Sequence, residues 1–270
     1  MNTTPRRLNP FLLLLLLAFI SFNVMAQDTA KQSTFRLKTV VIDAGHGGKD
    51  PGARGNYSRE KDVALMLAKK LKKAIDDSLP DVKTIMTRDD DTFIELHRRA
   101  TIANNNKGNL FISIHLNSTA EGTAVRANKQ NGVEMLVYKF SRAGEQLAAI
   151  RENESIKYEA DKSVYKKLDG NDPAAAIINN LFLQKYRKQS ILFGGLLNKE
   201  FTDTDGRKSK GVKEQSLHVL ANSGMPSVLV EVGFINNPEE EEYLNSAEGQ
   251  NEVVQSILRA VKAYRKTLGY

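Results

Sequence analysis

A chain of 270 residues, 41% hydrophobic and 26% charged, has room for one substantial domain or two small ones, which excludes a mainly disordered or fibrous class. With 39 basic against 32 acidic residues it carries a net charge of +7, a modest excess that suits a polyanionic surface, while the lack of interleaved basic and aromatic motifs argues against nucleic acid as a partner. Cysteine is absent, which excludes disulfides, thiolate ligands and a lipidated N-terminal cysteine, so any metal must be held by His, Asp or Glu.

The chain opens with Arg6 and Arg7 ahead of the apolar run PFLLLLLLAFISF, and Val24-Met25-Ala26 then offers small or apolar residues where a signal peptidase reads. The run is short for a membrane span, so residues 1–26 are expected to be a cleaved secretory signal, with an uncleaved anchor as the alternative. Cleavage removes two basic residues and no acidic ones, leaving a charge of +5 and no stable membrane span. Residues 27–36 read as a polar, disordered lead, with no room for a further module before the domain, which is expected over 37–268.

Residues 38–43 predict a first strand, running into the glycine-rich loop AGHGGKDPGARG that presents His46. Residues 60–79 predict an amphipathic helix, with Ala64, Leu67, Ala68, Leu71, Ala74 and Ile75 on one stripe and Ser58 as the expected N-cap, which places Glu60 in the first turn. Strands are expected at 82–87, 109–115, 132–138, 211–220 and 227–232, and helices at 92–106, 174–201 and 246–268. Between them, residues 141–173 are charge-rich, with apolar residues too sparse to anchor them firmly. Strands alternating with helices imply an α/β fold: a single domain with a twisted, mostly parallel or mixed sheet of about six strands flanked by helices. Ligands in such sheets lie at the carboxyl ends of strands, where His46, His115 and Glu231 all fall.

Two histidines and a glutamate are a known ligand set for hydrolytic zinc, and His46, Glu60 and His115 supply it. Zinc is preferred on ligand type, although manganese or cobalt also bind such a set. A carboxylate must still move the proton of the attacking water, and Glu231 is the candidate, because inside VLVEVGF an ionised carboxylate is costly unless it faces a polar cleft or a metal. His97 and His218 lack this placement and read as structural. The glycine-rich turn does not read as a phosphate cradle, since it lacks the lysine and hydroxyl pattern of a P-loop.

Five stretches together, IDAGHGGKDPGA, SREKDVAL, LHRRATIAN with Arg99, SIHLNS and VLVEVGFINN, resemble the zinc-dependent N-acetylmuramoyl-L-alanine amidases of bacterial cell-wall remodelling, the amidase type 3 family. The resemblance implies one zinc ion on His46, Glu60 and His115, Glu231 as the catalytic carboxylate, and peptidoglycan as substrate, cut between the lactyl group of N-acetylmuramic acid and L-alanine. Family members that act in cell separation carry an insertion covering the zinc cleft until an activator, typically a LytM-type domain, displaces it. Residues within about 141–180 are expected to do the same, with one acid among Glu152, Glu154 and Glu159 on the open zinc position; the alternative is a solvated excursion with no regulatory role. The implied location is exported, periplasmic or associated with the cell wall. A zinc peptidase acting within stem peptides and a catalytically silent wall-binding module are the competing functions, the latter disfavoured because all four matched residues are present.

Overall fold

The central strands form because their residues are apolar on both faces. β1 (Thr39–Ala44) and β3 (Leu110–Asn117) are buried along their whole length, as is β6 (Ser227–Phe234). Such continuous apolar runs belong to strands covered on both sides. The computed structural model describes residues 36–119, 129–139, 144, 146–166 and 173–269, so the expected signal and all but the last residue of the lead lie outside the described residues. With β2 (Lys83–Met86), β4 (Val133–Tyr138) and β5 (Ser209–Gln215), these strands make one six-stranded sheet in the order β2-β1-β3-β6-β4-β5. Every neighbouring pair is parallel except β4 with β6, so the sheet is mixed, as the sequence implies.

Among the described residues seven α-helices flank it: α1 (Glu60–Ser78), α2 (Leu96–Asn105), α3 (Leu147–Asn153), α4 (Ser163–Lys166), α5 (Pro173–Lys199), α6 (Pro238–Asn245) and α7 (Ala247–Thr267). Among the described residues no helix is long and apolar enough to cross a membrane. The N-cap position of α1 is Arg59, which makes no side-chain cap bond, rather than Ser58 as expected. An absent cap costs about 1 kcal/mol. Burial of Val63, Leu67, Leu71 and Ile75 contributes about 1.5–3 kcal/mol each, so packing rather than capping fixes this helix.

The two faces of the sheet have different characters because side chains alternate along a strand. Val40, Ile42 and Ala44 of β1, with Leu110, Ile112, Ile114 and Leu116 of β3, join α1, α5 and α7 in one apolar core. Val41, Phe111 and Leu229 point the other way, into a second core shared with α2 and α3. Further along that second face the residues at two-residue steps turn polar: Asp43 after Val41, Ser113 and His115 after Phe111, and Glu231 after Leu229. All four are buried. The chemistry therefore sits on one face of the sheet, towards the carboxyl ends of its central strands.

Three expectations change. β5 ends at Gln215, and Leu217, Val219 and Leu220 fill the second core from turns instead of extending the strand. α6 was not expected at all; Asn237 caps it by accepting the backbone N–H groups of Glu239 and Glu240, and Pro238 occupies its first turn. The charge-rich stretch is better anchored than its composition suggests, for Ala148 and Ala149 of α3 are buried in the second core and Asn153 bonds both Ser216 O and the His218 N–H.

Candidate metal centre

β1 hands over to the glycine-rich loop at Gly45, where a Cβ would stand 2.5–2.7 Å from the ring of His115. Only glycine lets the loop cross that histidine. His46 then takes a left-handed φ of 58°, unusual for a residue with a side chain, and this turns its imidazole back over the strand ends. Gly52, at φ 65°, packs between His46 and Glu60, within 2.6–2.8 Å of where any Cβ would lie. The three side chains therefore meet because two glycines leave them space.

His46 Nε2 lies 3.1 Å from Glu60 Oε1, and His115 Nδ1 lies 3.2 Å from the same oxygen. A fourth group completes the cluster: Oε2 of Glu152, from α3, is 3.1 Å from His46 Nε2 and 2.6 Å from His115 Nδ1. Each of the four offers one ligand atom, these atoms lie within 4.8 Å of one another, and all four residues are buried. The ligand-side residues are braced from behind. His46 Nδ1 lies 2.8 Å from Asp50 Oδ2, which also accepts the Ser155 hydroxyl at 2.5 Å, while Glu60 accepts the backbone N–H groups of Leu116 and Ala53. Such partners fix ring orientation and carboxylate direction.

The donors fit a divalent metal. Among the described residues, His46 Nε2 and Glu152 Oε2 are buried without a well-directed hydrogen bond, although they are 3.1 Å apart and Glu152 Oε2 lies 2.6 Å from His115 Nδ1. Atoms so close yet not aimed at one another converge on a shared point, and imidazole nitrogen with carboxylate oxygen is the donor chemistry of zinc and its neighbours in the first transition row. Protons otherwise take that role. Burial by itself would lower the basicity of both imidazoles, but the facing carboxylates of Glu152 and Glu60 prevail, holding His115 up at about 9 and His46 well above the usual histidine range.

Glu231 lies beside this cluster, in register with His115 across the β3–β6 pair and wholly buried. Burial pushes its carboxyl up to about 8, against the pull of Arg151, with the Glu152 and Glu60 charges adding to the rise. Its Oε2 has no hydrogen-bond partner among the described residues, and its Oε1 accepts from Arg151 Nη2 at 3.2 Å. Arg151 also donates to Ser118 O, Leu116 O and Glu152 Oε1, so it ties Glu152 of the cluster to Glu231. A cleft of about 440 Å³ runs past His46 between the 50–54 loop and the exposed side of α3, lined there by Leu147 and Ile150 and, just beyond the helix, by Lys157.

Of the three insertion acids, Glu152 reaches the cluster. Glu154 is exposed and pairs with Lys157 at 3.4 Å. Glu159 is buried elsewhere, accepting the Leu96 N–H and the Tyr165 hydroxyl, and so fastens the segment to α2. His97 and His218 stand outside the cluster, His97 near Glu159 and His218 edge-on to Tyr165. Sequence reasoning passed over Asp50, Arg151 and Glu134. A carboxylate four residues after His46 was the available signal for Asp50, and an acid within the apolar run GVEMLVY was the signal for Glu134, which neighbours Glu231 in register and pairs with Lys213 at 2.8 Å.

Residues 40–263 match the sequence profile of a family described as N-acetylmuramoyl-L-alanine amidase. The N-acetylmuramoyl-L-alanine amidase AmiA of Escherichia coli strain K12 is 33% identical over 248 residues, covering 90% of this chain and 81% of that protein. The amidase AmiC of Escherichia coli O6:H1 is 32% identical over 230 residues; this chain spans about half of its length, 52%. Among solved structures, the N-acetylmuramoyl-L-alanine amidase of Clostridium difficile 630 superposes with a TM-score of 0.63 at 26% identity, covering 86% of this chain and 98% of that one.

Proposed function

The chain belongs to the amidase type 3 family of N-acetylmuramoyl-L-alanine amidases, and from that premise we propose that it hydrolyses the amide between N-acetylmuramic acid and L-alanine in peptidoglycan, using a metal held by His46, Glu60 and His115. Zinc is the metal that this donor set favours. The observation that carries the reading is the convergence of four buried donor groups, two of whose atoms lack hydrogen-bond partners, beside a buried carboxyl with an unused oxygen.

When bound, a divalent ion there supplies a Lewis acid and a water acidic enough to attack an amide near neutral pH. Glu231 takes a proton from the attacking water and returns it to the departing L-alanine nitrogen as the C–N bond breaks, leaving a lactyl carboxylate and a free amine. Burial raises the proton affinity of this carboxyl, which favours its holding the proton between the two halves of that transfer. Asp50 orients His46, and the backbone N–H groups of Leu116 and Ala53 fix Glu60.

On this reading the conformation is a closed one. Glu152 lies where substrate or water would approach the donor cluster, and Arg151 occupies Oε1 of the buried Glu231. We assign residues 146–166 as an autoinhibitory segment and expect a separate protein, of the LytM type, to displace it. Residues 1–26 are assigned as an export signal, which places the enzyme in the periplasm or at the cell wall and its role in cell-wall remodelling and daughter-cell separation. Mass spectrometry of digested peptidoglycan, with metal analysis of the protein, tests the reading. Stem peptides with intact L-alanine N-termini and unsubstituted muramic acid are expected; shortened stem peptides would show a peptidase instead.

A further inference from the structure

Arg99 belongs to a stretch that marks the family, yet the reaction outlined above gives it no task. It is 1% exposed and lies under the His46 loop. Its Nη1 donates to Asp43 Oδ1 at 2.9 Å and to Ala44 O at 2.7 Å, its Nη2 to His46 O at 2.7 Å, and its Nε to Ile94 O at 2.9 Å. Arg88, also buried, grips the same backbone from the β2 side. Its Nε donates to Ala44 O at 2.9 Å, its Nη2 to Gly45 O at 2.7 Å and to Lys61 O at 2.8 Å, and its Nη1 to Asp90 O at 2.9 Å.

Three consecutive carbonyls, those of residues 44, 45 and 46, are thus held by two guanidinium groups that share Ala44 O. The carbonyl of Lys61, next to Glu60, is held as well. Burying two cations so close together is costly: burial and the neighbouring Arg99 pull Arg88 down to about 10. One buried carboxylate, Asp43, offsets this, itself fixed by the hydroxyls of Ser113 and Thr87. What the arrangement secures is local. His46 is held at φ 58°, a conformation that a residue with a Cβ leaves unless its surroundings over-determine it.

We propose that Arg99 and Arg88 are positioning residues that hold the His46 backbone in its left-handed turn and so aim His46 Nε2 at the metal. The proposal rests on His46 being a metal ligand. Neither guanidinium is among the four groups of the donor cluster; both act through backbone carbonyls. Lysine cannot substitute, because a single ammonium does not reach Asp43, Ala44 O, His46 O and Ile94 O as a planar fork does.

The test is Co2+ binding to the full-length protein, measured by competition with a chromophoric chelator and by the visible spectrum of the bound ion, for wild type, Arg99→Lys and Leu71→Ala. Leu71→Ala opens a cavity in the opposite core and so reports the effect of lost stability alone. Arg99→Lys is expected to bind Co2+ about 10–100-fold more weakly than wild type, with altered ligand-field bands. Leu71→Ala is expected to stay within about twofold of wild type, with an unchanged spectrum. Wild-type affinity and spectrum in Arg99→Lys would overturn the proposal, and so would an equal loss in Leu71→Ala. If Arg99→Lys does not fold, Arg88→Lys is read in the same way, and loss of the fold in both overturns it by showing the arginines to be general structural supports. Wild-type protein that takes up no Co2+ would remove the metal reading itself and this inference with it.

Discussion

Replacing Glu152 by alanine should activate the enzyme only in part, and the structure indicates how far. Glu152 meets His115 at 2.6 Å and His46 at 3.1 Å, a charge-assisted contact that contributes about 1.5–3 kcal/mol to the closed form, or about 10–150-fold in the closed-to-open ratio. The segment keeps its other fastenings. Asn153 bonds Ser216 O at 2.7 Å and the His218 N–H at 2.9 Å, Ser155 donates to Asp50, and Glu159 accepts the Leu96 N–H at 2.8 Å. At about 1 kcal/mol for each net bond, Asn153 alone holds about 2 kcal/mol, worth roughly 30-fold. Both residues act on one equilibrium, so their effects multiply until the open form dominates. Release of dye from labelled peptidoglycan should therefore rise about 10–150-fold in Glu152→Ala, roughly 30-fold in Asn153→Ala, and by about three orders of magnitude in the double variant. Two results would refute this reasoning: a single variant as fast as a chain lacking the segment, or a folded double variant no faster than wild type.

Glu231→Gln should fold, retain metal and lose about 10²–10⁴-fold in turnover, checked by steady-state rates beside metal content. The same variant should be more stable than wild type when metal-free. The Glu231 carboxyl is raised to about 8 in the fold, so the native state is penalised once the unfolded carboxyl ionises above about pH 4.5; the gap in melting temperature should widen from there to about pH 8 and then level off. Metal uptake should release protons near pH 7, because in the metal-free form His115 is held at about 9 and His46 well above the usual histidine range by the facing carboxylates; pH-stat titration should show less release from Glu152→Gln, which loses a charge that sustains both. Gly52→Ala should weaken metal binding at least tenfold in a chelator competition, since its Cβ would press on His46 and Glu60 at a φ of 65°.

Much of this was legible in the sequence, for physical reasons. β1, β3 and β6 are covered on both faces, so their residues form unbroken apolar runs, and a lone His or Glu within such a run is conspicuous. α1 declared itself by its stripe. α6 did not, because PEEEEYLN has no apolar period; its cap at Asn237 and the following Pro238 were the only local cues. β5 was drawn too long because Leu217, Val219 and Leu220 are core residues delivered by turns, and hydrophobicity alone does not distinguish the two. Choosing Glu152 from three acids required the register of α3, which is set by Asn153 on residues 216 and 218 and by Glu159 on α2, contacts more than sixty residues distant in sequence. The arginines under His46 were visible only as charges beside a motif, since their partners are main-chain carbonyls that no side-chain pattern encodes.

The strand order has a consequence for when the molecule becomes able to act. β6 is the last strand in the chain, yet it lies in the interior of the sheet, between β3 and β4. His46, Glu60 and His115 are all present in the chain before residue 120, whereas Glu231 arrives only with β6, more than a hundred residues later. A chain cut before residue 227 would carry His46, Glu60 and His115 without Glu231, with β3 and β4 left unjoined. On the roles proposed above, donors and base come together only at the step that turns two sheet fragments into one, and Glu152, encoded ahead of that strand, is already in the chain by then.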